Sequence, residues 1–243
     1  MSAQSTPKAA ARFRRALAAW YRHAARDLPW RRTRDPYAVL VSEFMLQQTQ
    51  VSRVLEYYEP FLRRYPTIRH LARARPATVR EAWDGLGYYR RAANLHRLAR
   101  EVVTQHGGQL PGEPAALRRL PGVGAYTAGA VATFAYERPA AAVDTNVARV
   151  LGRVFLGRDG ITGAAGAKAV AHLAEALQPR RGRAAWTFNQ ALMELGALVC
   201  SARAPKCAEC PVSAWCAWLR GGRPVRSPRR GRTSDAAPRA RGR

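Results

Sequence analysis

The sequence is poor in acidic residues and in lysine, and these shortages narrow the kind of partner that the protein can have. Its 243 residues contain 41 Lys+Arg, of which only three are Lys, against 16 Asp+Glu, so the formal net charge at pH 7 is +25. Residues 221–243 hold eight Arg and one Asp, which leaves most of the positive charge on the rest of the chain. Such a surface favours a polyanionic partner, most simply nucleic acid.

Two further absences concern the membrane and the β-sheet. No hydrophobic run approaches the roughly 20 residues of a membrane-spanning helix, and the first residues lack the pattern of a secretory signal peptide. We therefore expect no membrane partner and a location in the cytoplasm, in association with the nucleoid if the source is bacterial. We also expect a monomer. No alternating pattern of useful length indicates a strand, whereas helical spacing recurs between residues 36 and 200, so the predicted fold class is all-α. One predicted helix begins at Pro36 after an N-cap at Asp35 and runs to about residue 48, and a longer one runs from about residue 88 to 106.

Cysteine is absent before residue 200 and then occurs four times in one short segment. Cys200, Cys207, Cys210 and Cys216 follow the spacing C-x6-C-x2-C-x5-C. A 4Fe–4S cluster takes one thiolate per iron and suits such a loop. A structural zinc site usually takes two close pairs of ligands, and only Cys207 and Cys210 form one. Disulfides are the third interpretation, but cytosolic thiols stay reduced. The spacing favours a 4Fe–4S cluster over zinc and disulfides.

A tight turn in the middle of the chain is a candidate phosphate site. The segment LPGVGAYTA, residues 120–128, places two glycines between two expected helices. Glycine lets the backbone approach a phosphate closely, and the first amides of the next helix would point at it. We predict phosphate contacts from Gly122, Val123, Gly124 and Thr127 that read no base sequence. The alternative interpretation is an ordinary turn between helices.

Two acidic residues have positions that suit catalysis. Asp144 precedes a helix expected to begin near Asn146, and such an N-cap position favours the charged form of a carboxylate. Glu43 shares a helical face with Val39 and Leu46, and burial there would raise its pKa toward neutrality, as a general acid requires. In the alternative interpretations, Asp144 is only a helix cap and Glu43 lies solvated at the edge of the apolar face.

Five further segments accompany the cysteine loop and the hairpin: LPWR at 28–31, SEFMLQQTQV at 42–51, GLGYY at 85–89, ANLH at 93–96 and VD at 143–144. Together these segments resemble the A/G-specific adenine DNA glycosylases of the helix-hairpin-helix superfamily, to which endonuclease III also belongs. The resemblance runs from about residue 8 to residue 219, which is nearly the whole of the expected folded part. It adds an activity that hydrophobic periodicity alone does not indicate.

The resemblance implies a two-lobed, all-α helix-hairpin-helix DNA glycosylase fold with a 4Fe–4S cluster loop. A six-helix lobe with the hairpin would span 27–138, and the cluster lobe would combine 8–26 with 139–220. Residues 221–243 would form a basic, disordered tail, since their composition is rich in Arg, Gly and Pro. The implied partner is double-stranded DNA in which adenine is mispaired with guanine or 8-oxoguanine, and the adenine would be flipped into the cleft between the lobes.

The resemblance also implies roles for individual residues. Glu43 would protonate the adenine, and Asp144 would stabilise the sugar cation, following the logic of glycosidases with two carboxylates. The implied catalytic set is Glu43, Asp144, Tyr126 and Asn146. The implied substrate-binding set is Trp30 and Arg31 at the base pocket, Gln48 and Tyr88 as residues that wedge into the DNA stack, and Leu46, Thr49 and Gln190.

Two departures from relatives bear on the activity. Bifunctional relatives carry a lysine where this chain has Tyr126, so no amine is placed to form a Schiff base and we expect a monofunctional enzyme. The family usually continues with a Nudix-like domain that reads 8-oxoguanine, whereas 27 residues follow Cys216 here. We expect either a natural short form or a truncated or shifted reading frame, and in both cases weak 8-oxoguanine discrimination. The alternative functions are a thymine–guanine mismatch glycosylase and a non-catalytic DNA-binding iron–sulfur protein.

Overall fold

The structure, a computed structural model, describes residues 7–157 and 163–221. These residues form α-helices, short 3-10 turns and connecting loops, and no β-strand occurs within the two ranges. The all-α prediction is thereby confirmed, while the tail expected to be disordered lies outside the described residues except for Gly221. None of the described helices is both long and apolar enough to cross a membrane.

Twelve α-helices follow one another along the described part of the chain. They are α1 (Pro7–Ala24), α2 (Pro36–Leu46), α3 (Val51–Arg64), α4 (Ile68–Arg73), α5 (Pro76–Glu81), α6 (Arg90–Gln105), α7 (Pro114–Leu117), α8 (Ala125–Phe134), α9 (Thr145–Leu156), α10 (Gly163–Leu177), α11 (Gly182–Leu198) and α12 (Ala217–Arg220). Three 3-10 turns lie at Pro29–Arg31, Cys207–Glu209 and Ser213–Trp215.

Capping residues determine where two of the helices that carry the candidate site begin. Helix α2 begins at Pro36 after Asp35, whose carboxylate accepts a hydrogen bond from the Tyr37 amide at 3.1 Å. Helix α9 begins after Asp144, whose carboxylate accepts from the Val147 amide at 2.7 Å. These caps satisfy amides that have no partner inside the helix. Both N-caps predicted from the sequence are confirmed.

Two helices are shorter than their sequence pattern predicted. The pattern predicted one helix from residue 36 to about 48 and another from about 88 to 106, but α2 ends at Leu46 and α6 begins at Arg90. The reason lies in the backbone, because Gln48 and Tyr88 have φ angles of 56° and 46°. A left-handed residue cannot continue a right-handed helix. Neither residue is a glycine, so nothing in the residue type signals the break.

The helices form two groups that meet along α8 and α11. In the first group α2 packs against α3, α6 and α8, while α4 and α5 pack on α6, and α7 packs on α8. In the second group α11 packs against α1 and α9, and α9 also contacts α10 and α12. Contacts between α8 and α11 join the groups, and one continuous apolar core runs through both.

Helix α2 lies in the interior of the first group. Its residues from Tyr37 to Met45 are all buried, and they include the polar side chains of Ser42 and Glu43. The Ser42 hydroxyl donates to the Val39 carbonyl oxygen at 2.7 Å, so it is satisfied within its own helix. Glu43 is the only carboxylate on α2 and is placed among apolar neighbours.

A close contact between α9 and α11 fixes the start of α9. A Cβ atom at Gly196 would lie 2.6 Å from the Cβ atom of Asn146 and 3.1 Å from its backbone. Only glycine fits this position, because the opposing atoms cannot move without moving α9 itself. Asn146 follows Asp144 by two residues, so the contact also sets the position of Asp144.

We predict that Gly196→Ala forces α9 away from α11 and lowers the free energy of unfolding by roughly 1–3 kcal/mol, the usual range for overpacking a tight contact. Urea denaturation of the purified protein measures the change. Gly221→Ala is the control, because its φ is −73° and an added Cβ would meet no atom closer than 3.5 Å. Its expected change is within about 0.5 kcal/mol. Equal stability of the two variants would contradict the close contact.

Candidate active site

A cleft of about 870 Å³ opens where the two groups of helices meet. Its walls come from α2, the turn that follows α2, the first turn of α8, the start of α9, and α10 and α11. Of the residues predicted as catalytic or substrate-binding, those that line the cleft are Trp30, Arg31, Glu43, Leu46, Gln48, Thr49, Tyr126, Asp144, Asn146 and Gln190. Tyr88 does not line it.

Glu43 presents a buried carboxyl group to this cleft. The residue is 4% exposed, and its Oε2 atom has no hydrogen-bond partner within the protein. Burial raises the pKa of Glu43 to about 7, the nearby charge of Asp144 also raises it, and a hydrogen bond from Tyr126 partly opposes the increase. Glu43 therefore does not lie solvated at the edge of its helix. Near neutral pH it can hold a proton and release it, as a general acid must.

Tyr126 lies in the first turn of α8 and its hydroxyl donates to Glu43. Burial raises the pKa of the Tyr126 phenol well above its usual value, and the charges of Glu43 and Asp144 raise it further. The phenol therefore stays protonated and acts as a donor. This hydrogen bond orients the Glu43 carboxyl group, whose Oε2 atom is buried and has no partner within the protein.

Asp144 combines the cap of α9 with a place in the cleft. Its Oδ1 atom accepts from the Val147 amide at 2.7 Å, and its Oδ2 atom accepts from Asn146 Nδ2 at 2.9 Å. Both oxygens are therefore held in fixed positions at the positive end of a helix dipole. The cap and the catalytic interpretations of Asp144 are compatible, because the carboxylate still lines the cleft.

A chain of hydrogen bonds links Asp144 to the cysteine loop through Arg149. Arg149 Nη2 donates to Asn146 Oδ1 at 2.7 Å and to the Gly196 carbonyl at 2.8 Å, and its Nε atom donates to the Cys200 carbonyl at 2.7 Å. The amide of Asn146 is thereby oriented with its nitrogen toward Asp144. Sequence analysis missed Arg149, and its position three residues after Asn146 was the available signal.

Arg31 and Glu194 form an ionic group at the other side of the cleft. Arg31 donates from Nε to Gln190 Oε1 at 2.9 Å and from Nη2 to Glu194 Oε2 at 2.8 Å. Arg26 also binds Glu194, with two side-chain bonds of 2.8 Å. Although burial opposes ionisation, the hydrogen bonds from Arg26 and Arg31 lower the pKa of Glu194 to about 2. Sequence analysis missed Glu194 and Arg26.

Trp30 forms the apolar wall beside this ionic group. It lies in the 3-10 turn Pro29–Arg31 and is buried. Its ring meets that of Tyr58 edge to face, with centroids 5.4 Å apart. The cleft thus combines a flat apolar surface with the polar side chains of Arg31 and Gln190, which are joined by a hydrogen bond. An apolar surface with a few fixed polar groups is the kind of lining that a flipped base requires.

Gln48 and Tyr88 stand at the surface on two different loops. Both residues have left-handed backbone conformations, and both are exposed, Tyr88 by 62%. Non-glycine residues in this region cost free energy and cluster at functional sites. Their exposure and backbone strain single them out among the polar and aromatic residues of these loops.

The hairpin presents backbone rather than side chains. Gly122 has a φ of 76°, and a Cβ atom there would lie 2.8 Å from the Cβ of Asn94. Gly124, the N-cap of α8, and Ala125 are exposed, and no side chain caps these first amides. Thr127, by contrast, is 3% exposed, and its hydroxyl lies 3.5 Å from Gln47 Nε2. The structure therefore leaves the amides at the helix start, not the Thr127 hydroxyl, facing outward.

All four cysteines line one cavity beside α9 and α12 and are free of disulfides. Burial raises the pKa values of Cys207 and Cys216, and it raises that of Cys210 to about 11. The buried guanidinium of Arg153 supplies a positive charge, with Nη1 3.5 Å from Cys200 Sγ. Within the described residues, no three His, Cys, Asp or Glu side chains form a group close enough for a metal ion.

Comparison with known proteins identifies the family. Residues 41–179 match the model of the "HhH-GPD superfamily base excision DNA repair protein". The chain is 48% identical over 221 residues to the adenine DNA glycosylase of Mycobacterium tuberculosis, and the match covers 88% of this chain and 71% of the relative.

Solved structures agree on the fold. A thermostable thymine-DNA glycosylase superposes with a TM-score of 0.80 at 33% identity, covering 88% of this chain and 98% of the other. An endonuclease III trapped in a covalent intermediate with DNA gives a TM-score of 0.73 at 23% identity with the same coverages, which supports the fold alone. The chain therefore belongs to the HhH-GPD superfamily of base excision DNA repair proteins.

Proposed function

We propose that the protein is a monofunctional adenine DNA glycosylase. It hydrolyses the N-glycosyl bond of adenine mispaired with guanine or 8-oxoguanine in double-stranded DNA and leaves an abasic site. The observation that carries this proposal is the pair of carboxyl groups in the cleft, one buried on α2 and one capping α9. The 48% identity to an adenine DNA glycosylase supports adenine as the base.

Glu43 and Asp144 divide the chemistry between them. The neutral form of Glu43, which its raised pKa makes available near pH 7, donates a proton to a ring nitrogen of adenine while the bond from the base to the sugar breaks. Asp144, held by two hydrogen bonds, stabilises the positive charge that develops on the sugar. Water then adds to the sugar carbon and returns a proton to Glu43, so the enzyme is regenerated.

The remaining residues of the cleft bind and place the base and the DNA. Trp30 offers a stacking surface. Arg31 holds the amide oxygen of Gln190, which leaves the amide nitrogen of Gln190 as the donor to the base edge. Leu46, at the end of α2, and Thr49, in the turn that follows, line the cleft. Gln48 and Tyr88 enter the base stack, and the amides at residues 122–125 bind a phosphate.

The same proposal places DNA across the junction of two lobes. The lobe boundaries are those of the resemblance, with 27–138 forming one lobe and 8–26 together with 139–220 forming the other. The grouping of helices supports these boundaries. Helices α2 to α8 contact one another, whereas α1 packs on α11, α11 packs on α9, and α9 contacts α10 and α12. We propose that the protein acts as a monomer and that, in a bacterium, it works on DNA of the nucleoid.

We propose that the four cysteines hold a 4Fe–4S cluster. Support comes from their donor chemistry and placement, because four thiols line one cavity and each can bind a different iron. Because burial raises the pKa values of Cys207, Cys210 and Cys216, their thiolates need a positive partner, and bound iron would supply it. Arg153 and Arg149 tie Cys200 to α9, so the loop would also brace the helix that Asp144 caps.

We predict that Glu43→Gln and Asp144→Asn each lower the single-turnover rate of adenine release by at least about 10²-fold while mismatch binding survives. Glu81→Gln is the control, because Glu81 is exposed and pairs with Arg64, and its expected rate is near normal. A near-normal rate in either cleft variant would refute the assignment.

The raised pKa of Glu43 also predicts how the rate of the unmodified protein depends on pH. The rate should be maximal well below pH 7 and should fall as pH rises through about 7, because only protonated Glu43 donates. Single-turnover rates across this pH range measure the effect.

We predict that purified protein is yellow-brown and contains about four irons per chain. Cys207→Ser should give unstable protein with little iron, because one ligand of the loop is lost. Ser213→Ala, a substitution in the same loop that removes no thiol, should retain the iron. Elemental analysis and absorption spectra measure both. One zinc per chain without iron would instead indicate a structural zinc site.

A further inference from the structure

Arg91, in the first turn of α6, is a buried cation whose hydrogen bonds join two separate segments. It is 7% exposed. Its Nη1 atom donates to three carbonyl oxygens, those of Phe44 at 3.0 Å, Met45 at 2.6 Å and Gln47. Its Nη2 atom donates to Thr49 Oγ1 at 3.0 Å and to the carbonyl oxygens of Leu86 and Gly87 at 3.1 Å each. The first four acceptors belong to the end of α2 and its following turn, and the last two to the loop before α6.

These two segments carry the strained residues Gln48 and Tyr88. In the described part of the chain only Glu137 shares their positive φ among residues other than glycine. Arg91 binds the neighbours of Gln48 on both sides, Gln47 and Thr49, and the carbonyl that precedes Tyr88. Its guanidinium also lies 5.5 Å from the centroid of the Tyr88 ring. A strained backbone persists only where its surroundings hold it in place, and Arg91 does so at both positions.

An arginine suits this task better than an apolar residue or a lysine. The planar guanidinium offers five donors in a fixed fork, whereas lysine offers a single ammonium group. Burial lowers the pKa of Arg91, which reflects the cost of placing a charge there. A residue that only capped α2 would need the carbonyls of α2 alone, yet only two of the six acceptors, Phe44 and Met45, belong to that helix. The other four lie beyond it, at Gln47, Thr49, Leu86 and Gly87.

We propose that Arg91 is a positioning residue that holds Gln48 and Tyr88 as one unit, so that both enter the duplex together when the adenine is extruded. This inference rests on the proposed function, in which the two side chains wedge into DNA. Arg91 itself touches neither the base nor the sugar in this account. Arg91 fixes two loops relative to each other before DNA binds, although Gln48 and Tyr88 are 40 residues apart in sequence. The loops therefore lose less conformational entropy when DNA binds.

The test is a double-mutant cycle on base extrusion. Arg91→Lys keeps the charge and removes the fork, and it is combined with Gln48→Ala and with Tyr88→Ala. Extrusion is followed by the fluorescence of 2-aminopurine that replaces the target adenine opposite guanine. We expect each single variant to lower the extrusion equilibrium about tenfold, and the double variants to lose little more, because coupled residues are not additive.

Arg53→Lys is the matched control. Arg53 also donates to the same loop, at the Gly85 carbonyl, at 3.4 Å, but it is exposed and bonds otherwise to Glu56 and Tyr57. Its expected extrusion lies within about twofold of the unmodified protein, as for a surface substitution. An Arg53→Lys effect as large as that of Arg91→Lys would overturn the specific role of Arg91.

The outcomes separate this inference from the proposed function. Additive losses in the cycle would mean that Arg91 only stabilises the fold, which overturns the proposal. If Gln48→Ala and Tyr88→Ala leave extrusion unchanged while adenine is still excised, the proposal fails and the glycosylase stands. Absence of adenine excision by the unmodified protein would refute the proposed function itself. If Arg91→Lys does not fold, Thr49→Val takes its place, because it removes one acceptor of Arg91. Thr49→Val is then combined with Tyr88→Ala, and the losses are compared for additivity in the same way.

Discussion

Burial of the Glu43 carboxyl group in α2 is the constraint on which the account depends. Helix α2 packs against α3, α6 and α8, and its residues from Tyr37 to Met45 are buried. A charged carboxylate in such a place is unfavourable. The resulting pKa of about 7 makes a carboxylic acid available at neutral pH. The charge of Asp144 adds to this rise in the pKa of Glu43, and the hydrogen bond from the protonated phenol of Tyr126 partly opposes it.

The second carboxylate comes from the other group of helices. Asp144 is placed by the cap of α9, by Asn146 and by the tight contact of Asn146 with Gly196. Arg149 continues this network to the backbone of Cys200. The two acids therefore face one cleft only when α8 and α11 pack together, so the fold and the site form at the same junction.

Local patterns predicted the acids and the cysteines, but not the buried ionic groups around them. Glu43 could be singled out by its apolar helical face, Asp144 by its cap position and the four cysteines by their spacing. Arg91 could not be, because among 41 Lys+Arg the identity of a residue does not say which distant carbonyls it will meet. Glu194 could not be either, because its arginine partners lie 163 and 168 residues away in sequence. Gln48 and Tyr88 broke the predicted helices for a related reason, since their left-handed conformations depend on tertiary contacts.

The central claim is that this cleft excises adenine by hydrolysis alone. The most direct measurement incubates the unmodified protein with duplexes carrying adenine opposite guanine, adenine opposite 8-oxoguanine or thymine opposite guanine, and analyses the strands with and without alkali. The account predicts strand breaks at the adenine of the first two duplexes, and only after alkali, because no lysine occupies position 126. Excision of thymine in place of adenine, or breaks without alkali, would contradict it.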